Sequence, residues 1–229
     1  VKGAPLPQGA EKVAAVDTMF DTIAPRYDLL NRMLTFGMDI GWRKKAVRSL
    51  SLPVGAVVLD LACGTGDLCR VLSGAGLRPV GVDRSAGMLA AARTDAPLVR
   101  GDGMRLPVPD GAADGITCGF ALRNVVSLGD FFAECARALR PGGRLALLDV
   151  SEPANPLLRA GHSVYFGKVV PLVGGLVSDR AAYRYLPKSL AYLPPGAEML
   201  AMLADVGFPG ARRQVLSVGI AQLLTGTRA

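Results

Sequence analysis

The sequence predicts an α/β fold with a doubly wound, mostly parallel sheet, and three observations carry that prediction. Short continuous apolar runs recur from residue 56 onward, stretches with helical spacing separate them, and the first run ends in a glycine turn that opens a helix. At 229 residues the chain fits one domain, 1–229, with a substantial buried core.

The elements follow in order. Residues 11–50 place Val13, Val16, Met19, Phe20 and Ile23, then Leu29, Leu30, Met33 and Leu34, at helical spacing on either side of Pro25, which predicts an N-terminal helical cap. Val57-Val58-Leu59-Asp60-Leu61 is the first strand, Gly64-Thr65-Gly66 the turn, and a helix runs on to about Leu72. Further strands are expected at 79–82, 98–100, 115–119 and 144–150, with helices near 86–93 and 131–139. Residues 154–195, Tyr-rich and broken by Pro and Gly, interrupt this rhythm and are expected to form an insertion over the active face. A helix near 197–204 and closing strands at 214–218 and 220–225 complete the chain.

Composition narrows the functional classes. Half of the residues are apolar and a fifth are charged, which argues against disorder. The net charge of +7 is dispersed, with Arg43-Lys44-Lys45 and Arg212-Arg213 as its densest clusters and no aromatic series beside them, so nucleic acid is disfavoured and an anionic lipid surface fits better. Cys63, Cys69, Cys118 and Cys135 form no C-x-x-C pair and have no nearby His, so they are expected to be small core residues with no metal site. No signal-like segment is evident, and the apolar run 169–177 is too short to span a bilayer; a cytoplasmic protein, at most peripheral to a membrane, is expected. A homodimer is compatible with the sequence, which does not specify oligomeric state.

The stretch Asp60-Leu-Ala-Cys-Gly64-Thr65-Gly66 follows a buried strand and opens a helix, where glycines let a ligand approach the backbone closely. Cys69 occupies the place of the third glycine in a dinucleotide fingerprint, which disfavours nicotinamide and flavin. Asp83 ends the next strand at a distance suited to gripping both ribose hydroxyls of an adenosine, and Asp102, after the third strand, can pair with the adenine amino group. Together these positions favour an adenosyl ligand.

Four further motifs stand in order. They are Tyr27-Asp28-x-Leu30-Asn31 continuing to Trp42; Phe120-Ala-Leu-Arg123-Asn124-Val125; Arg137-Ala-Leu-Arg140-Pro141-Gly142-Gly143 continuing to Asp149-x-Ser151; and Tyr183-x-Tyr185-Leu186-x-x-Ser189. With these motifs the chain resembles the S-adenosylmethionine-dependent methyltransferases, and more narrowly the ubiquinone/menaquinone C-methyltransferase family, from about Met19 to the C-terminus. The resemblance implies a Rossmann-like class I fold, S-adenosyl-L-methionine as cofactor and a lipid quinol as acceptor. It places Thr65, Asp83, Asp102, Gly103 and Gly119 at cofactor-binding positions, with Tyr27, Asp60, Gly64, Gly66 and Arg84 in the same set. Two residues depart from the pattern: Asp39 stands where the first signature usually has His, and Leu224 where a His is frequent.

A free phenol with a pKa of about 10 is mostly protonated at neutral pH, so such an enzyme must favour the phenolate. Arg123 is expected to stabilise the oxyanion, and Asp149, with His162 as the weaker candidate, to accept the proton. Asn124, Tyr183 and Tyr185 are candidate contacts to cofactor or acceptor, and the apolar stretch 164–177 is a candidate cover for a prenyl tail or, equally, a core helix pair. Two other readings stay open: a methyltransferase of a soluble phenolic metabolite, and a non-catalytic cofactor-binding subunit of a quinone-synthesis complex.

Overall fold

Sequence periodicity switches between 2 and 3.6 along the chain, and the computed structural model, which describes residues 9–165, 167 and 189–229, places one sheet where the first period rules. Its strands are β1 (Val57–Leu61), β2 (Arg78–Asp83), β3 (Leu98–Arg100), β4 (Ala113–Gly119), β5 (Leu139–Val150), β6 (Arg212–Leu216) and β7 (Ala221–Thr227), in the order β3-β2-β1-β4-β5-β7-β6. The first five run parallel, and β7 is antiparallel to both β5 and β6. Only the short turn Ser217–Gly219 joins β6 to β7, too little chain for a crossover, so this pair must be a hairpin.

Helices cover both faces. The cap is three helices, α1 (Gly9–Ile23), α2 (Tyr27–Leu34) and α3 (Met38–Leu50), with a single 3-10 turn around Pro25. The others are α4 (Asp67–Gly74), α5 (Ala86–Ala90), α6 (Leu128–Ala138), α7 (Pro156–Val164) and α8 (Gly196–Asp205). Alternate strand residues serve opposite cores: Leu59, Leu61, Leu145 and Leu147 pack with Phe131, Phe132 and Leu203, while Val58, Ala146 and Leu148 pack with Trp42, Leu50 and Leu72. All four cysteines are free and buried, as their residue type suggested.

Several boundaries differ from the sequence expectation, among them three with a local cause. α5 ends at Ala90 rather than near 93, because the Arg93 amide donates to the Thr65 carbonyl (3.0 Å) and draws the chain toward the glycine turn. β5 begins at Leu139, pairing with Ala113 across a register shift before regaining its ladder at Arg144. Residues 217 and 218, expected in a strand, form the hairpin turn instead. Tyr183, Tyr185 and most of the 164–177 stretch lie outside the described residues. No described helix is long and apolar enough to cross a membrane.

Candidate active site

In an open parallel sheet a crevice forms at the carboxyl edge where strand order reverses, and here that point lies between β1 and β4. A cavity of about 150 Å³ occupies it, floored by the loops after β1 to β4 and roofed by Val13, Val16, Asp17 and Phe20 of α1. Every residue of the expected cofactor set except Gly66 lines it: Tyr27, Asp60, Gly64, Thr65, Asp83, Arg84, Asp102, Gly103 and Gly119. Gly66 lies just behind, in left-handed backbone (φ +83°), where a Cβ would come within 2.6 Å of the Thr94 methyl carbon.

The Asp83 carboxylate organises the glycine turn. One oxygen accepts from the Gly64 amide (2.7 Å) and the other from the Ser85 amide (2.9 Å). Burial pushes its pKa up, opposed by these amides. Asp60 is fully buried at the end of β1, accepts from the Thr117 hydroxyl (2.8 Å) and the Cys69 thiol (3.4 Å), and is pushed up to about 7 by burial. Asp102 accepts from Arg84 (2.5 Å) and from the Met104 amide (2.9 Å).

The roof is fastened at three points, none of them anticipated from the sequence. Arg84 reaches Asp17 of α1 (3.1 Å) while holding Asp102. Asp21 accepts from the Gly87 amide (2.9 Å) and the Ser85 hydroxyl. Lys12, 4% exposed, donates to the Val125 carbonyl (2.8 Å) and sits 3.8 Å from the Tyr192 ring centre; burial pushes its pKa down to about 8. The signal available was the spacing of Asp17 and Asp21, one helical turn apart on one face.

The expected catalytic residues divide. Asn124 lines the cavity. Arg123 and Asp149 meet, but as a buried ion pair behind the wall, and neither is among the cavity's described lining residues. The Asp149 carboxylate also accepts from the backbone amides of Arg123 (3.2 Å) and Val150 (2.7 Å), while the Arg123 guanidinium donates to the Phe120 carbonyl (2.7 Å). The pair therefore clamps the turn that carries Asn124. His162 sits half-buried on α7, away from the described cavity lining, with its pKa lowered by burial.

Besides Arg84, a second guanidinium lines the cavity, that of Arg43, which the sequence reading did not assign to the site. It lies 5.1 Å from the Phe120 ring centre, 3.3 Å from Asp67, and pairs with Asp39. Asp39, at the position where the resemblance expects His, is fully buried and also accepts from the Thr35 hydroxyl (2.8 Å). Leu224 is a fully buried core residue of β7, opposite Leu147 of β5. In total Asp17, Asp60, Asp67, Asp83 and Asp102 face the cavity against only Arg43 and Arg84, among the described residues.

This sheet order and switch-point cavity define a Rossmann-like fold of the class I S-adenosylmethionine-dependent methyltransferases. Solved structures share it: a Thermotoga maritima S-adenosylmethionine-dependent methyltransferase, described as a possible histamine N-methyltransferase, superposes with a TM-score of 0.66 at 18% identity over 93% of this chain and 99% of its own. Haemonchus contortus phosphoethanolamine N-methyltransferase 2, solved in complex with S-adenosyl-L-methionine, gives 0.60 at 13% identity over 81% of this chain and 52% of its own. More narrowly, the chain belongs to the ubiE/COQ5 methyltransferase family, whose model matches residues 8–228. It is 42% identical to the ubiquinone/menaquinone biosynthesis C-methyltransferase UbiE of Syntrophotalea carbinolica, over 92% of this chain and 93% of that one. With the demethylmenaquinone methyltransferase of Thermus thermophilus the identity is 41%, over 92% of this chain and all of its relative. The protein is a methyltransferase of quinone biosynthesis.

Proposed function

We propose that this chain transfers the methyl group of S-adenosyl-L-methionine to a ring carbon of a prenylated quinol, converting demethylmenaquinol to menaquinol. The observation that carries the cofactor half is the charge of the cavity: five carboxyl groups against two guanidinium groups suit a ligand bearing sulfonium and ammonium cations and would repel a pyrophosphate. The cradle fits as well. A Cβ at Gly119 would come within 2.8 Å of Leu68, and one at Gly103 within 3.1 Å of Phe131, so both glycines leave room against the cavity wall.

In this reading Asp83 holds the ribose hydroxyls, Asp102 the adenine amino group and Asp60 the ammonium, while Thr65, Gly64 and Gly103 shape the bed and Arg84 joins the adenine site to the roof. When bound, the cofactor supplies an electrophilic methyl group and leaves as a neutral thioether. Asn124 and Tyr27 orient the acceptor ring, and Arg43 offers positive charge to the phenolate. The Arg123–Asp149 pair positions Asn124 rather than touching the ring. A prenylated acceptor resides in a bilayer, which calls for peripheral membrane contact on the cytoplasmic side.

The test is turnover by the purified protein with S-adenosyl-L-methionine and reduced demethylmenaquinone, read by mass spectrometry as one carbon-bound methyl. Failure with every quinol alongside success with a soluble phenol would overturn the acceptor. Cofactor binding without any turnover would overturn the enzymatic reading.

A further inference from the structure

We propose that the outer face of α2 and α3 docks onto a bilayer of anionic phospholipids, a surface that rests on and deepens the lipid-acceptor reading above. The face has an apolar tip and a basic flank. Leu29 (56% exposed) and Met33 (45%) lie one turn apart on α2 and Ile40 lies on α3, while Phe36 is 78% exposed at the turn between the two helices. Phe36 stands in left-handed backbone at φ +50°, a conformation unfavourable for a bulky residue, and its ring touches only one described aromatic, Tyr165, at 5.9 Å. Clustered exposed apolar residues mark interaction sites, and here the most exposed of them stands at a loop tip able to enter the headgroup region.

Beside the tip runs a groove of about 650 Å³ between α2, α3 and α4. Arg32, Arg43, Lys44, Arg48 and Arg70 line it, with Asp67 as the single acidic residue among its described lining. Charge decides between occupants. A second copy of this chain docked by the same face would set basic groove against basic groove, whereas anionic headgroups neutralise it. Arg43 and Asp67 line both this groove and the active-site cavity, so their ion pair (3.3 Å) is the partition between the lipid side and the methyl-transfer side.

The test is flotation of the full chain with substrate-free vesicles of phosphatidylcholine alone or containing phosphatidylglycerol. Binding is expected only to the anionic vesicles and should weaken with salt. Each basic residue near such a surface contributes roughly fivefold to partitioning, so the double variant Lys44→Glu, Arg48→Glu should lose at least tenfold. Phe36→Ser should lose severalfold. Both variants should keep the parent melting temperature and the parent rate on a short-tailed, water-soluble quinol. Equal binding to both vesicle types, or anionic binding untouched by either variant, would overturn the proposal. So would a dimer seen by sedimentation that Phe36→Ser abolishes in a protein that ignores vesicles. Because the vesicles contain no quinol, failure of the acceptor assignment leaves this measurement unaffected.

Discussion

Two concavities lie back to back across one ion pair, and they are built oppositely. The cavity at the carboxyl edge of the sheet is acidic and nearly every charge in it is fixed by a backbone amide or a partner. The groove outside α3 is basic, and Lys44 and Arg48 are exposed at its rim. The same residue types thus serve different ends by burial alone: inside, low dielectric makes each charge strong and its placement decisive, while outside, water and salt leave only a summed field.

The largest effect should come from breaking the clamp behind the cavity. Arg123→Ala strands the fully buried Asp149 carboxylate, and unfolding measurements should show a loss of about 3–5 kcal/mol. If the loss is below 1 kcal/mol, the pair is not the rigid support that distinguishes the cavity. Next, Asp83→Ala removes the acceptor for two amides of the glycine turn, and cofactor affinity by calorimetry should fall roughly a hundredfold.

The pH dependence sharpens the contrast. Asp60 is raised from 3.8 to about 7 in the folded protein, so the native state holds a proton that the unfolded chain releases. Stability contributed by this group is therefore full below its unfolded value, is lost as pH rises, and is gone above about 7. Asp60→Asn should flatten the melting temperature of the cofactor-free protein across that window relative to the parent; parallel profiles would show that the carboxyl is not buried as described. The smallest effect belongs to the groove: Lys44→Ala should change stability by no more than about 0.5 kcal/mol, since nothing in the fold leans on it.

Much of the site was legible because its residues follow strand ends. Asp60, Asp83 and Asp102 terminate or succeed β1, β2 and β3, and parallel topology brings successive carboxyl ends to one edge. Arg123 and Asp149 were read from two separate motifs as oxyanion stabiliser and proton acceptor, and neither their pairing nor their burial was foreseen. A motif marks which residues belong together, but not whether they face the ligand or each other. Arg43, read only as part of a basic cluster, and Asp67 were not assigned to the site for the converse reason: they sit in ordinary amphipathic helices, and only the packing of α3 against α4 makes them neighbours.

Chain order alone sufficed for the alternation of strands and helices, the glycine turn, the carboxylates at the strand ends that line the cavity, and the family, because these depend on local periodicity and on motif spacing. Only the tertiary structure decided that Arg123 and Asp149 neutralise one another, that α1 is latched through Arg84, and that an acidic cavity adjoins a basic groove. Those facts depend on distances between residues far apart in the chain, and burial, which sets the strength of every charge, exists only once the layers have packed.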